Sequence, residues 1–259
     1  MNEHDLRKAI SGLPLGGVRF YKQTSSTNDA ALAWAADGAP DLSLVYAEEQ
    51  TAGRGRGGHP WFSPPGAGLA FSLVLKPVPA EERSIPLLSG LGALAVCQAL
   101  GKRDLHPLIK WPNDVLLNGR KVSGILAESI WIGEKVDRII LGIGLNVRPE
   151  SVPLPEHLNY PATSLEIELG KKVNRPALLK DILEGLLQWR ALLKTPPFLQ
   201  AWEKNLAFRE ELVEIRVEGG ILRTGKLVGL EADGSLRLRS PDGQISTVQF
   251  GEVHLRQVV

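Results

Sequence analysis

Cysteine is nearly absent. A single thiol, Cys97, stands among 259 residues, which excludes an internal disulfide and any metal site built from several thiolates. Excess charge of one sign is missing as well: 30 basic against 29 acidic residues leave a formal net charge of +1. That balance gives no global pull toward nucleic acid or an anionic membrane, although local patches stay open. Spanning segments are lacking too. Residues 57–75 are broken by Pro60, Pro64 and Pro65, and residues 84–101 contain Ser84, Pro86, Ser89, Gly90, Gly92 and Gln98, short of the ~20 predominantly apolar residues a bilayer needs. The second window reads as a buried core helix. The first ten residues are mixed in charge without an apolar centre, so no signal peptide is expected and a soluble, cytoplasmic protein is. No G-x-S-x-G elbow, Walker loop or H-E-x-x-H is present, and His4, His59, His106, His157 and His254 show no ligand spacing.

What is there is a chain with 43% hydrophobic residues, enough for one large domain or a large and a small one. Strands are expected at 18–21, 42–48, 69–75 and 108–111. Ser25, Ser26, Thr27 and Asn28 are cap-type residues ahead of an Ala-rich helix at 29–36, which stops at Gly38. Asn118-Gly119 between two strand-like arms predicts a hairpin, because both residues tolerate positive φ. Strands at 125–132 and 138–147 continue the sheet, the latter too continuously apolar to be half exposed. Asn174-Arg175-Pro176 opens an amphipathic helix with two apolar rows, Leu178, Ile182, Leu186 and Leu179, Leu183, Leu187. A short helix at 198–206 follows. From about 209 the pattern alternates with period two and is punctuated by Gly219-Gly220, Asp233-Gly234, Asp242-Gly243 and Gly251, as in a small all-β barrel or sandwich. A domain boundary is placed near Phe208. The class is α+β with a β appendage.

Two clusters could carry chemistry. Gly53-Arg54-Gly55-Arg56-Gly57-Gly58 satisfies G-x-G-x-x-G, but His59-Pro60-Trp61-Phe62-Ser63-Pro64 cannot open the helix a dinucleotide site requires. Exposed glycine N–H groups interleaved with planar cations suit a phosphate or carboxylate; the bland alternative is a surface loop with solvated arginines. In Lys110-Trp111-Pro112-Asn113-Asp114 the hairpin can return Lys121 to Asp114, either as a coupled charged site or as a surface ion pair contributing ~0–1 kcal/mol. Cys97, in an apolar run, reads as a buried structural thiol, and Trp34, Trp189 and Trp202 as helix core. Trp61 and Trp111 flank the charged motifs and either wall an apolar ligand or simply pack. Cations and glycine backbone with no evident nucleophile suit chemistry in which two substrates are positioned and phosphate charge is stabilised.

In order, Ser26-Thr27-Asn28, Glu49-Gln50-Thr51-Ala52-Gly53-Arg54-Gly55-Arg56, Trp61-Phe62-Ser63-Pro64, Lys110 to Asp114, Arg120-Lys121-Val122-Ser123-Gly124-Ile125-Leu126, Gly142-Ile143-Gly144-Leu145-Asn146, Gly251-Glu252 and Leu255-Arg256 make a pattern. With it the sequence resembles the biotin protein ligases, which attach biotin to a lysine of biotin-dependent carboxylases. The resemblance implies a mixed-sheet catalytic domain with packed helices, class II synthetase-like, over 1–208, and an SH3-like β-barrel over 209–259. It implies biotinyl-5′-adenylate formation from biotin, ATP and Mg²⁺, then transfer to a biotin carboxyl carrier protein, as for acetyl-CoA carboxylase. By family position Ser26, Thr27 and Gln50 hold the biotin head, with Asn28, Gly53, Gly55, Trp61, Gly124 and Gly144 completing the biotin and adenylate site. Arg54 and Arg56 belong to the loop over the adenylate. Lys121 meets carboxylate and phosphate, Asp114 orients or deprotonates the incoming lysine, Asn146 lies at the nucleotide and Arg256 offers a contact to ATP. Lys121, Asp114 and Arg56 form the catalytic set; no metal ligand is assigned.

The chain departs from the family at His59, where another arginine is usual, and only 25 residues precede Ser26, too few for the DNA-binding domain of bifunctional members. A monofunctional ligase without nucleic acid or membrane partners is therefore expected. A homodimer stays open, since family members pair through an exposed sheet edge. The rivals are a lipoate or octanoate ligase of the same fold, an RNA-binding module and a non-catalytic ligand-binding regulator. The arginine loop before Trp-Phe-Ser-Pro and the C-terminal β module argue against the first, and the near-zero charge without an aromatic stacking series against the second.

Overall fold

A computed structural model describes residues 1–77, 85–158, 160–216, 222–249 and 254–257. In chain order the elements are α1 (Glu3–Ile10), β1 (Gly17–Tyr21), α2 (Thr27–Ala36), β2 (Ser43–Ala47), β3 (Gly68–Leu75), α3 (Ile85–Gly101), β4 (Leu108–Lys110), β5 (Asp114–Leu117), β6 (Arg120–Ile132) and β7 (Lys135–Asn146). Then follow α4 (Leu165–Leu169), α5 (Arg175–Ala191), α6 (Pro196–Lys204), β8 (Leu212–Arg216), β9 (Leu222–Leu230), β10 (Leu236–Arg239), β11 (Ile245–Val248) and β12 (His254–Gln257).

Seven strands form one sheet in the order β1-β2-β3-β7-β6-β5-β4. Only β1 and β2, joined through α2, run parallel; the other neighbours are antiparallel. The centre of the sheet is buried on both faces. Side chains of successive strand residues point to opposite faces, so Leu44, Tyr46, Leu73, Leu75, Ile139 and Leu141 join the large core. Val45, Val74 and Ile140 pack instead with Ala31 and Ala35 of α2. That explains the unbroken apolar run at 139–145 and the alanines of α2, whose small side chains bring the helix close to β2 and β3. On the other face α3 lies against β6, β7 and α5. Gly90 lets the Trp202 ring approach to 2.5 Å from where a Cβ would stand, and both expected rows of α5 are buried except for half-exposed Leu187.

The hairpin forms at Asn118-Gly119, with φ of 49° and 72°. Beyond it the hairpin's second arm and the strand expected at 125–132 are one continuous strand, β6, because β7 pairs along it from Ser123 to Ile132. Two helices lie outside the expected set. The short α1 buries only Leu6 and Ile10, too few apolar positions to mark a period in its sequence, and α4 has a single turn. Trp34 is half-buried rather than core: the Arg19 guanidinium stacks on its ring at 4.3 Å, so its outer face is covered by a cation.

The second sheet is antiparallel, ordered β11-β10-β9-β8-β12. Among the described residues its end strands β11 and β12 are not paired to each other, so the expected barrel is present as a five-stranded open arrangement. Its buried Val213, Ile215, Leu227, Leu236 and Leu238 are continuous with the core of the larger sheet. Two polar links fix the junction: Trp111 Nε1 donates to Gly234 O at 3.0 Å, and Glu203 Oε1 accepts from Leu230 N at 2.7 Å. Trp111 is therefore an inter-sheet anchor. No described helix is long and apolar enough to cross a membrane.

Candidate functional site

A cleft of about 430 Å³ opens over the ends of β6 and β7 where α2 begins. Its floor is polar. Ser26 caps α2, and Thr27 and Asn28 occupy the first turn, so the positive end of the helix faces the cleft. Gln50 Oε1 accepts from Thr27 N at 2.7 Å and from Thr27 Oγ1 at 3.1 Å. Buried Ser72 Oγ lies 2.8 Å from Thr27 Oγ1 and donates to Asn28 Oδ1 at 2.6 Å. Asn28 Nδ2 donates to Glu128 Oε2 at 2.6 Å. Ser26, Thr27 and Asn28 are all at least 95% buried, yet every side chain among them has a partner.

The glycines of Gly142-Ile143-Gly144 sit two apart and so share one face of β7. A Cβ on Gly142 would overlap the Asn28 carboxamide, and one on Gly144 would overlap the Trp61 indole. Gly124, which pairs Gly144 on β6, leaves room for the same ring at 3.1 Å and for Lys121 Nζ at 3.4 Å. Bare backbone on two neighbouring strands thus seats Trp61 as the apolar wall, and Ile125, Leu126 and Ile143 add to it.

Lys121 Nζ stands 2.6 Å from Asp114 Oδ1 and 5.6 Å from the Trp61 ring centre. The hairpin brings the pair together, and a register shift between Val115 and Leu116 re-aims the strand. The backbone of Lys121 is held on its outer side by Lys121 N to Pro161 O at 2.7 Å and Thr163 N to Lys121 O at 2.9 Å. Glu168 secures the turn, accepting from Asn118 Nδ2 and Arg120 Nη2, both at 2.6 Å. Beside the pair, Lys110 Nζ lies 3.9 Å over the Tyr160 ring. Burial, and then the Asp114 charge, push the Tyr160 hydroxyl above its ordinary range.

The glycine–arginine loop closes one side as a short 3-10 turn at Arg56–Gly58, with Gly57 and Gly58 at φ 63° and 75°. Gly55 N donates to His59 O at 2.7 Å, so His59 supplies backbone to the loop while its ring is exposed. The Arg54 guanidinium is engaged on carboxylates: Nη1 and Nη2 meet Glu128 Oε1 and Oε2, each at 2.8 Å, and Nη2 meets Asp29 Oδ1 at 2.8 Å. Those bonds, chiefly from Glu128, raise its pKa.

Of the expected residues, Ser26, Thr27, Asn28, Gln50, Arg54, Gly55, Arg56, Trp61, Lys121, Gly124 and Gly144 line this one cleft. Gly53 sits behind the wall, its O accepting from Trp61 N at 2.8 Å. Asp114 stands behind Lys121. Asn146 does not line the cleft; its Nδ2 donates to Thr163 O at 3.1 Å. Arg256 lies opposite Glu214 in the β12–β8 register, but its side chain, like Gly251 and Glu252, lies outside the described residues. Asn113, Ser72 and Glu128 went unread in the sequence. Asn113 lines the cleft, donating Nδ2 to Ile125 O at 2.9 Å; it sits inside the Lys110–Asp114 segment. Ser72 and Glu128 carried no local signal. Cys97 is buried, and burial drives its thiol pKa far up, as befits a structural residue. Among the described residues, no three His, Cys, Asp or Glu side chains converge as a metal site.

Residues 20–146 match the Biotin/lipoate A/B protein ligase family, and residues 211–256 match the Biotin protein ligase C terminal domain. The chain is 37% identical to the biotin--[acetyl-CoA-carboxylase] ligase of Paracoccus denitrificans over 86% of its own length and 94% of that protein. It is 33% identical to the bifunctional ligase/repressor BirA of Bacillus subtilis over 98% of its own length and 79% of that protein. Among solved structures, the biotin protein ligase from Aquifex aeolicus in complex with biotin and ATP superposes with a TM-score of 0.81 at 31% identity, covering 93% of this chain and 99% of that one. With its cleft, its two sheets and its sequence all in agreement, the chain belongs to the biotin protein ligase family.

Proposed function

We propose that the protein is a biotin protein ligase that makes biotinyl-5′-adenylate from biotin and ATP and then transfers biotin to a lysine of a carboxylase carrier domain. The observation that carries this reading is the joining, in one cleft, of the buried polar floor of Thr27, Asn28 and Gln50, the Trp61 wall and Lys121, which Asp114 backs. A cyclic urea head needs a dry set of donors and acceptors, and a carboxylate held beside a triphosphate needs cations.

In the first step a biotin carboxylate oxygen attacks the α-phosphorus of ATP, the α–β P–O bond breaks and pyrophosphate leaves. Two anions must approach, so positive charge held in a water-poor site lowers the barrier. Lys121 supplies that charge where the carboxylate meets the phosphate, and Arg56 lies on the loop wall of the same cleft. Magnesium accompanying the nucleotide would offset part of the phosphate charge. The described residues offer no protein cage for it, and Asp29, Glu128 and Asp114 are committed to Arg54 and Lys121. In the second step the acceptor amine attacks the mixed-anhydride carbonyl, the C–O bond to AMP breaks, and the amine proton passes to Asp114. The chain is best divided into a catalytic part at 1–208 and a C-terminal β module at 209–259, with Arg256 a nucleotide contact from the latter.

The test is biotin-dependent exchange of labelled pyrophosphate into ATP, with octanoate as the control acid. Exchange with biotin alone is expected. Exchange with octanoate alone, or with neither acid from folded protein, would overturn the reading.

A further inference from the structure

The polar floor does not end at the cleft. It continues through Asn28 to Glu128 and from there to Arg54, with every link within 3.1 Å. The arrangement has a direction. An ionised carboxylate only accepts hydrogen bonds, so the side of the Asn28 amide facing Glu128 must be Nδ2. Asn28 Oδ1 then faces Ser72, which gives it its single hydroxyl proton. Thr27 Oγ1 must therefore spend its own proton on Ser72 Oγ at 2.8 Å or on Gln50 Oε1 at 3.1 Å. In both cases Thr27 presents lone pairs to the cleft. Gly142 leaves the Asn28 amide the space to hold this orientation.

The same carboxylate holds the loop. Both forks of Arg54 lie on Glu128, and Asp29 takes a further contact. An exposed ion pair of this kind would ordinarily contribute little. Here one partner is also bonded to an amide that is only 4% exposed, so it links a rigid floor to a glycine-rich loop.

We propose that Glu128 is a positioning residue for the reaction: through Asn28 it makes Thr27 Oγ1 an acceptor for an N–H of the urea head, and through Arg54 it pins the glycine–arginine loop over the same ligand. Arg54 is then a strut of the loop. The inference rests on the functional reading above, and it predicts coupled effects on head-group binding and loop order.

Glu128→Gln keeps the shape but can offer an amide N–H to Asn28, which frees the relay to reverse. In pyrophosphate exchange, KM for biotin should rise about tenfold while kcat and KM for ATP stay within about threefold, the scale of one charge-assisted hydrogen bond. Arg54→Gln, at a partly exposed site, should raise KM for biotin as well. The double variant should be no worse than the more affected single, because both break one linkage. Hydrogen–deuterium exchange of the amides at 53–60 should quicken in each variant, a readout that needs no turnover. Wild-type protein without exchange activity would sink the functional reading, and the amide data would still judge the strut. Unchanged biotin KM with unchanged loop exchange in Glu128→Gln, or a rise confined to KM for ATP in Arg54→Gln, would overturn the proposal.

Discussion

Lys121 and Asp114 face one another across the β5–β6 hairpin, Nζ to Oδ1 at 2.6 Å, with the Lys121 backbone bonded on its outer side to Pro161 and Thr163. The ammonium is thus fixed at both ends, and little reorganisation is needed when a carboxylate and a phosphate arrive. Lys121→Ala should lower the rate of pyrophosphate exchange by about 100-fold or more, the scale for losing one preorganised charge stabiliser. The fold should survive, since Lys121 is on the cleft surface. Exchange at the wild-type rate from folded variant would remove Lys121 from the chemistry.

Asp114 has a different part to play. Its carboxylate stands behind the lysine and does not line the cleft, so no direct contact with ATP is expected of it, and the acceptor proton is the role proposed for it. Asp114→Asn should leave adenylate synthesis within a few-fold and slow transfer from preformed adenylate by about 10²–10⁴-fold, the range for a lost general base. Raising the pH should recover part of that loss by deprotonating the acceptor amine. Equal damage to both half-reactions would instead mark Asp114 as the orienter of Lys121.

Much of this arrangement is legible along the chain because its causes are local. Asn118-Gly119 requires positive φ at both turn positions and has it; Ser26 and Asn174 cap α2 and α5 as their side chains predict. The glycine–arginine loop and the Lys-Trp-Pro-Asn-Asp segment also announce themselves. What stays hidden depends on residues far apart in sequence. Asn28, Ser72 and Glu128 meet across 44 and 100 positions, and nothing near Glu128 separates it from any strand glutamate on the surface. The sequence likewise places Trp111 beside a charged motif, yet its indole turns away to Gly234 of the second sheet, because a buried N–H needs an acceptor and finds one there.

A second charged cluster does not line the cleft. Glu48 accepts from the Tyr46 hydroxyl at 2.7 Å and from Arg175 Nη2 at 3.0 Å, and it also meets the Met1 amino group. Burial alone would raise its pKa, but the bonds from Met1, Tyr46 and Arg175 outweigh it and hold the carboxylate below the ordinary 4.5. A carboxyl with a depressed folded pKa stabilises the fold above its unfolded value, and that contribution is lost as pH falls through the folded value. The wild-type protein should therefore lose stability below about pH 4.5, while Glu48→Gln should show a shallower acid limb. At pH 7 the variant should be less stable by about 3–5 kcal/mol, the cost of leaving buried Arg175 without its partner. Parallel denaturation curves at pH 7 and pH 4 check both statements, and identical acid limbs would remove Glu48 from the explanation.

Gly144 and Trp61 give a test of how the cleft wall is built. The indole lies where a Cβ on Gly144 would be, so Gly144→Ala must push the ring outward or bend β7, at about 1–3 kcal/mol for overpacking. If the cost arises from that one clash, it should vanish where the ring is missing. In a Trp61→Ala background the added methyl should be neutral or slightly stabilising, since it fills space the indole vacated and also lowers the entropy of the unfolded strand. The melting temperatures of the four proteins in this cycle should then be strongly non-additive. Biotin-dependent exchange should behave otherwise: both single variants should lose activity, and the double should not regain it, because the methyl restores packing without restoring the aromatic wall. Additive stability losses would show that Gly144 is needed by β7 itself and that the ring's seat is incidental.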